Sequence, residues 1–432
     1  MKILLVTWYF PPSRTIAAVR LGKLARYLLA QGHDVRVVTP LDPPLPQDLA
    51  VDFPADRVVR TPWQPPLSGG QSTHRTPAPA AAGTVPEGGV GKRSLLKRTL
   101  WRLHASFSEF PDNRAPWLPF AVQGGAQLLA GWRPDLIFAS GPPFTTLLAG
   151  QELSKISGVP LVLEFRDRWS EDPYAPPFFW RRWRNRAAEN SLIGQATALV
   201  TVSQPWAASY RARYGKPTEV VYNGYDAEFC TEGPFDGAAG QPGLEIVYTG
   251  GIYPGYRDPS PLFAAMKQLD EQGQRCQMIF HGVRAGMIAP LVEAQGVSHL
   301  VEVREVLVHE EALRRQRESD ILVLLQWNDP KEQGNVPGKF FEYLGARRPI
   351  LVLGLRDGVP ATIVRERDAG FFSNEPKEIA HQLTLWLEIK RERGLLPPVP
   401  ESARAGFSRD EQYARLERFL EGLIDAAPSP GG

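Results

Sequence analysis

Two cysteines, Cys230 and Cys276, are all that the 432 residues contain, so no disulfide framework holds this chain. A reducing compartment is the simpler expectation. Neither sign of charge dominates: 49 basic against 47 acidic side chains leave +2, too little for a protein that coats nucleic acid. No run reaches the roughly 18 consecutive apolar residues of a membrane-spanning helix. The chain start lacks the marks of a secretory leader, because residues 3–6 form only a short apolar run and no small-residue cleavage site follows. A cytoplasmic protein is expected. The seven histidines have no metal-ligand spacing, no cysteine pairs with a histidine as a nucleophile would, and no Gly-x-Ser-x-Gly elbow occurs. A metal site is not expected.

What is present reads as α/β. Hydrophobic residues at 43% and charged residues at 22% suit a globular chain, and the length suits two or three domains. Residues 2–8 (KILLVTW) form an apolar run fit for a strand buried on both faces. Ala17, Leu21, Leu24 and Leu28 then recur at helical spacing, Gly32 stops the helix, and residues 35–39 (VRVVT) make a second strand. Strand, helix and strand in so short a span is a βαβ unit of the doubly wound kind. Short apolar runs at 136–140, 161–165 and 198–202 continue the pattern.

Between 62 and 91 the alternation gives way to Pro, Gly, Ser, Thr and Ala, which reads as a flexible surface insertion. A second shift, TEGPFDGAAGQPG at 231–243, reads as a linker. Beyond it a new α/β series begins, with strands expected at 244–249, 276–281, 301–304, 321–326 and 350–353. Helices are expected at 260–270, 309–318, 338–346 and 376–392. The expected organisation is a first domain over 1–230, a second over 244–400, and a C-terminal helix and tail over 401–432. The last helix, about 409–426, can close either domain. Two doubly wound domains facing a cleft is the predicted architecture.

In open parallel sheets ligands bind beyond the carboxyl ends of the strands, near helix N-termini. That rule selects the loops 9–16, 140–146 and 164–174 in the first domain, and 250–258, 281–284 and 327–339 in the second. In loop 250–258, Gly250 and Gly251 let backbone amides approach a phosphate and Arg257 adds a cationic donor. The plain alternative is a tight turn capped by Asp258. Loop 327–339 carries Asn335 and ends in Gly338-Lys339 at a helix start, where an anion is favoured. One turn on, Glu342 can accept hydrogen bonds from a diol such as a ribose, or it can be an exposed glutamate.

In the first domain, Glu164, Arg166, Asp167, Arg168 and Trp169 follow a buried strand, and their charges fit either a tuned crevice or a structural pair. Ser13 and Arg14 in loop 9–16, and Gly141 after the 136–140 run, are further candidates. Residues 178–186 (FFWRRWRNR), with Arg181, suit a phosphorylated or lipid-linked acceptor. Residues 92–107 (KRSLLKRTLWRLHASF) carry five basic residues and no acid, with Leu96, Leu100, Leu103 and Phe107 on one face. Such a helix either lies on an anionic membrane or packs on its own domain.

Seven stretches, in order over both domains, make the resemblance. They are ILLVTWYFPP, RLGKLARYLLAQGHDVRVVTP, SGPPFTTLLAGQELSKISGVPLVLEFRDRW, VSQPWAASYRARYG, VVYNGYD, YTGGIYPGYRDPSPL and NVPGKFFEYLGARRPILVLG. The sequence resembles the GT-B glycosyltransferases, particularly the retaining family 4, from residue 1 to about 419. The resemblance implies a donor site in the second domain for a UDP-sugar or GDP-sugar, with no cofactor or metal. Glu342 matches the glutamate that contacts the ribose, and Arg257 and Lys339 stand where cations contact the diphosphate. Gly250, Gly251, Asn335 and Gly338 complete that donor set.

Asp167 and Arg166, with Glu164, fall where the family lines its reaction centre, and Ser13, Arg14, Gly141, Trp169 and Arg181 form the expected acceptor set. The implied reaction is hexosyl transfer with retention to a glycan, a small molecule or a lipid-linked intermediate of envelope polysaccharide assembly. Contact with the inner face of a membrane is expected, and nucleic acid is not a partner. Two rivals are a nucleotide-sugar epimerase of the same architecture and a non-catalytic nucleotide-sugar-binding protein. There are departures. A second family glutamate eight positions before Glu342 is here Gly334, expected paired glycines are Ala17-Ala18, and a Gly-Arg pair reads Gly251-Ile252.

Overall fold

The apolar run that opens the chain is a central strand, β1 (Lys2–Thr7), in a seven-stranded parallel sheet of order β3-β2-β1-β4-β5-β6-β7. The computed structural model describes residues 1–65, 110–174, 178–230 and 242–426. Around β1 the elements are α1 (Ile16–Ala30), β2 (Asp34–Pro40), β3 (Val58–Thr61), α2 (Leu118–Gly131) and β4 (Leu136–Gly141). They continue as α3 (Thr145–Ser157), β5 (Leu161–Phe165), α4 (Phe179–Gln195), β6 (Ala198–Thr201), α5 (Gln204–Tyr214) and β7 (Thr218–Val220). Residues 66–91 of the expected insertion, the basic stretch 92–107 and residues 231–241 of the expected linker lie outside the described residues.

Alternation along the strands explains why this sheet is covered on both sides. Ile3 and Leu5 of β1, with Leu136 and Phe138 of β4, pack with Leu21, Leu24 and Leu28 of α1. Their neighbours Leu4, Val6, Ile137 and Ala139 face the opposite way, toward Trp117, Ala121 and Leu153. A period of two therefore supplies two cores from each strand, and each full burial of a large aliphatic side chain contributes about 1.5–3 kcal/mol. Thr15 starts α1 by accepting the Ala18 amide at 3.1 Å.

The second sheet has six parallel strands in the order β10-β9-β8-β11-β12-β13. Its elements are β8 (Leu244–Thr249), α6 (Ser260–Glu271), β9 (Cys276–His281), α7 (Ala285–Gln295), β10 (Val301–Arg304) and α8 (His309–Glu318). They are followed by β11 (Ile321–Leu325), α9 (Gly338–Ala346), β12 (Ile350–Leu353), α10 (Val359–Glu366), β13 (Gly370–Phe372), α11 (Pro376–Arg393) and α12 (Arg409–Asp425). Ile246 and Tyr248 of β8 pack with Leu262, Phe263 and Met266 of α6 and Leu383 and Leu387 of α11.

The chain divides into two units, one holding residues up to Tyr222 together with Tyr413 onward, the other Asn223 to Gln412. The C-terminal helix thus finishes in the first unit. Its Tyr413, Leu416 and Leu420 join the α1 core, and the Tyr413 hydroxyl donates to the Arg20 carbonyl at 2.9 Å. Both sheets are doubly wound, with the strand order reversing between β1 and β4 in one and between β8 and β11 in the other. No described helix is long and apolar enough to cross a membrane.

Candidate active site

The loops beyond β8 and β11 flank the reversal point of the second sheet, and they hold the candidate donor residues. Gly250 follows β8 with φ +104, a conformation that favours glycine, and its amide donates to the His281 carbonyl at 2.8 Å. A Cβ placed there would stand 2.9 Å from the Lys339 Nζ, so the ammonium lies directly against this turn. Gly251 is exposed, and its carbonyl accepts from the Tyr248 hydroxyl at 2.8 Å and from Arg257 at 2.9 Å. The Arg257 guanidinium also stacks 4.5 Å over the Tyr253 ring. Helix α6 begins at Ser260, and Asp258 accepts the Ser260 amide at 2.9 Å.

Lys339 stands in the first turn of α9, one residue after Gly338. Its Nζ donates to the Thr249 carbonyl at 2.6 Å and lies 4.0 Å from the Tyr248 ring centroid. Burial pushes its pKa below the usual lysine range; Tyr248 opposes this and Arg257 adds to it. Free amides, the helix dipole and two cations therefore converge beside a glycine turn, an arrangement that attracts an anion. Asn335 is turned to the fold: its amide donates to Glu332 at 2.9 Å and its carbonyl accepts from Gln326 at 3.0 Å. At Gly334, where the resemblance has a glutamate, φ is +87, and the adjacent carboxylate Glu332 is buried.

Glu342, half-buried on α9, accepts from Gln316 at 3.4 Å. Gln316 also donates to the Thr249 hydroxyl at 3.1 Å, and the Tyr343 hydroxyl sits 3.1 Å from the Thr249 amide. On its open side Glu342 lines a small pocket with Tyr225, Asp226, His309, Leu313 and Arg317. Two features here were not anticipated from sequence. Gln316 is the buried residue of the otherwise charged helix HEEALRRQRE, and nothing in that string singles it out. The loop after β10 carries Val306 and Val308, 53% and 65% exposed, and Val306 lies 3.6 Å from where a Gly282 Cβ would be.

In the first unit the carboxyl ends of β4 and β5 build a buried ionic cluster. Glu164 is fully buried, and one of its oxygens takes Arg20 bonds of 2.7 and 3.1 Å while Ser140 donates to the other. Arg20 also donates to the carbonyls of Tyr222 at 2.8 Å and Val221 at 2.9 Å. Arg166 donates to Ser140 at 3.1 Å and to the Pro142 carbonyl, 3.9 Å from Glu164. Burial pushes the Glu164 carboxyl up, but Arg20 and Arg166 outweigh it and hold the carboxyl below its usual range. Glu164 therefore positions Arg166 from inside the fold and exposes no atom to a ligand. Arg20 carried a legible signal, since a charge between Ala17 and Leu21 interrupts the apolar face of α1.

Asp167, next along, is exposed. Asp172, which had not been singled out, has its pKa pushed up to about 6 by burial, the Tyr174 amide opposing and the Asp167 charge adding to it. The expected acceptor residues separate. Trp169 is a core residue, 2% exposed and stacked 5.0 Å from Phe144. Ser13 is buried with its hydroxyl 3.1 Å from the Gln47 amide, and Gly141 is buried against Leu147. Arg14 is exposed beside Asp48 at 3.2 Å, and Arg181 is half-buried on α4. An apolar strand end and an aromatic neighbour read the same in sequence whether the side chain turns in or out, so the burial of Trp169 and Ser13 was not legible there.

Residues 17–226 match the family model of the glycosyl transferase 4-like domain. The first unit thus carries a glycosyl transferase 4-like domain, and the two doubly wound sheets have the GT-B architecture. Solved structures share its fold across nearly the whole chain. A sucrose-phosphate synthase from Thermosynechococcus elongatus superposes with a TM-score of 0.63 at 16% identity, covering 99% of this chain and 100% of that one. Anabaena HepE in complex with UDP and glucose gives 0.59 at 15%, covering 98% and 100%. WaaG, a glycosyltransferase involved in lipopolysaccharide biosynthesis, gives 0.53 at 13%, covering 98% of each chain. No curated protein sequence matches the chain. Among the described residues, three potential metal ligands converge at His33, Glu417 and Glu421 in the first unit.

Proposed function

We propose that this glycosyltransferase moves a hexose from a UDP-sugar or GDP-sugar to an acceptor hydroxyl with retention of configuration. The reading rests above all on Lys339, held at the start of α9 against the Gly250 turn. As the acceptor oxygen bonds to the sugar's anomeric carbon, the bond to the β-phosphate oxygen breaks and its electron pair leaves with the diphosphate. Lys339, Arg257 and the loop amides take up that charge, so no metal is assigned to the step. The acceptor proton passes to a leaving phosphate oxygen. Glu342 holds the ribose hydroxyls, and exposed Val306 offers an apolar surface to the base. In the first unit Arg166, set by Glu164 and Ser140, and exposed Asp167 orient the acceptor. A lipid-linked acceptor in surface polysaccharide assembly is the proposed substrate class, in keeping with the lipopolysaccharide role named for WaaG.

The test is release of nucleoside diphosphate from UDP- and GDP-sugars with and without glycan or lipid-linked acceptors. Release that depends on acceptor is the expected result. Epimerised donor without acceptor, or no binding of any sugar nucleotide at millimolar concentration, overturns the proposal.

Gln316 gives a finer check. In Gln316→Leu the Glu342 carboxylate loses its donor, so the KM for the sugar nucleotide is expected to rise about tenfold, roughly the value of one hydrogen bond to a charged group. kcat should change less than twofold and the far-UV spectrum should be unaltered. An unchanged KM removes the positioning role.

A further inference from the structure

Helix α4 opens with two turns whose outer face is both aromatic and basic. Phe179 is 77% exposed and Trp183 is 71% exposed; among the described residues no other Phe or Trp is counted as exposed. Arg182 and Arg186 are exposed on the same face, since positions 179, 182, 183 and 186 follow the i, i+3, i+4, i+7 spacing of one helical stripe. The helix is held to its own unit by other residues. Asn185, Glu189, Leu192 and Ile193 are buried, and the Arg184 guanidinium lies 4.3 Å over the Phe110 ring. The exposed stripe is therefore not needed to seat the helix.

Charge decides what such a stripe suits. No acidic residue occurs from 178 to 188, and the first one, Glu189, is turned inward to the Ser170 amide at 2.9 Å and the Tyr214 hydroxyl at 2.7 Å. The helix N-terminus adds its own positive end. Aromatic rings with an apolar body and a polar edge, interleaved with arginines, match the interface of a bilayer whose headgroups are anionic.

We propose that the Phe179–Arg182–Trp183–Arg186 face of α4 docks the protein on an anionic lipid surface. Its use to the enzyme rests on the lipid-linked acceptor proposed above, but the surface is testable without catalysis. The full-length protein is expected to co-sediment with vesicles of phosphatidylcholine and phosphatidylglycerol and to bind pure phosphatidylcholine at least tenfold more weakly. Phe179→Ser with Trp183→Ser, and separately Arg182→Gln with Arg186→Gln, should each lower the partition coefficient about tenfold, the arginine pair also flattening its salt dependence.

Both double variants should keep the wild-type circular dichroism spectrum and the wild-type affinity for UDP or GDP. Vesicle binding that is absent in the wild type, or equal in wild type and both variants, overturns the proposal. So does a dimer in solution that the substitutions dissociate, which would make the face a contact between copies. Vesicle binding without any sugar-nucleotide binding would sink the transferase reading and leave the docking face standing; nucleotide-dependent transfer without vesicle binding would do the reverse.

Discussion

Lys339→Ala is expected to lower sugar transfer about 10²–10³-fold, the usual effect of removing one preorganised stabiliser of developing negative charge. The side chain is placed for that task by local geometry. Helix α9 starts at Gly338, so the ammonium enters the field of free amides at the helix start. A Cβ at Gly250 would stand 2.9 Å from the Nζ, so a larger residue in this turn would crowd the ammonium. The side chain is half-buried, with the ammonium held by the Thr249 carbonyl and the Tyr248 ring. In the proposed mechanism a diphosphate meets this ammonium, and its negative charge grows as the sugar bond breaks. Most of the loss should therefore appear in kcat, with a smaller rise in KM. Transfer by Lys339→Ala within threefold of wild type would remove the residue from the mechanism. Lys339→Arg keeps the charge but needs room that the turn does not offer, and should recover only part of the rate.

Arg20→Met is expected to destabilise the first unit by about 3–5 kcal/mol, the cost of leaving one member of a buried ion pair uncompensated. Arg20 and Glu164 are 1% and 0% exposed, and the guanidinium also satisfies two backbone carbonyls that end the unit at Tyr222. At this size the change corresponds to a fall in Tm of roughly 6–20 °C. The pH dependence has a definite sign. Glu164 has a lowered folded pKa, so its contribution is fully present above the ordinary carboxylate value and is lost as pH falls through the folded one. The gap between wild type and Arg20→Met should thus be widest near neutrality and shrink in acid. A Tm within 1 °C of wild type at pH 7 would show that the pair holds nothing together. The same variant bears on function, because Glu164 and Ser140 set the Arg166 side chain.

Particular elements show how much could be read in advance. β1, β4, β5 and β8 were legible because a compact, mostly apolar run of five or six residues between turn residues seldom forms anything but a buried strand. The edge strands β3, β7 and β13 were not, being three or four residues long and only partly buried. Gly250, Gly338 and Lys339 were legible for a local reason, since a glycine turn and a helix start are written in adjacent residues. The inward turn of Trp169, and the choice for Glu164 between a tuned crevice and a structural pair, could not be read from the string. Gln316 and Asp172 were missed because a glutamine in a charged helix, or an aspartate in a polar loop, looks ordinary until its surroundings are known.

The amino-acid string alone determined two doubly wound units and the glycine-bearing loops that follow their strands. Those properties depend on periodicity and on glycine, which act over a few residues. Tertiary structure decided which charges are sealed inside and which are offered outward. Arg20 meets Glu164 across 144 positions, and Gln316 meets Thr249 across 67. Desolvation and pairing energies of that kind arise only when distant segments are packed together, and no local pattern encodes them.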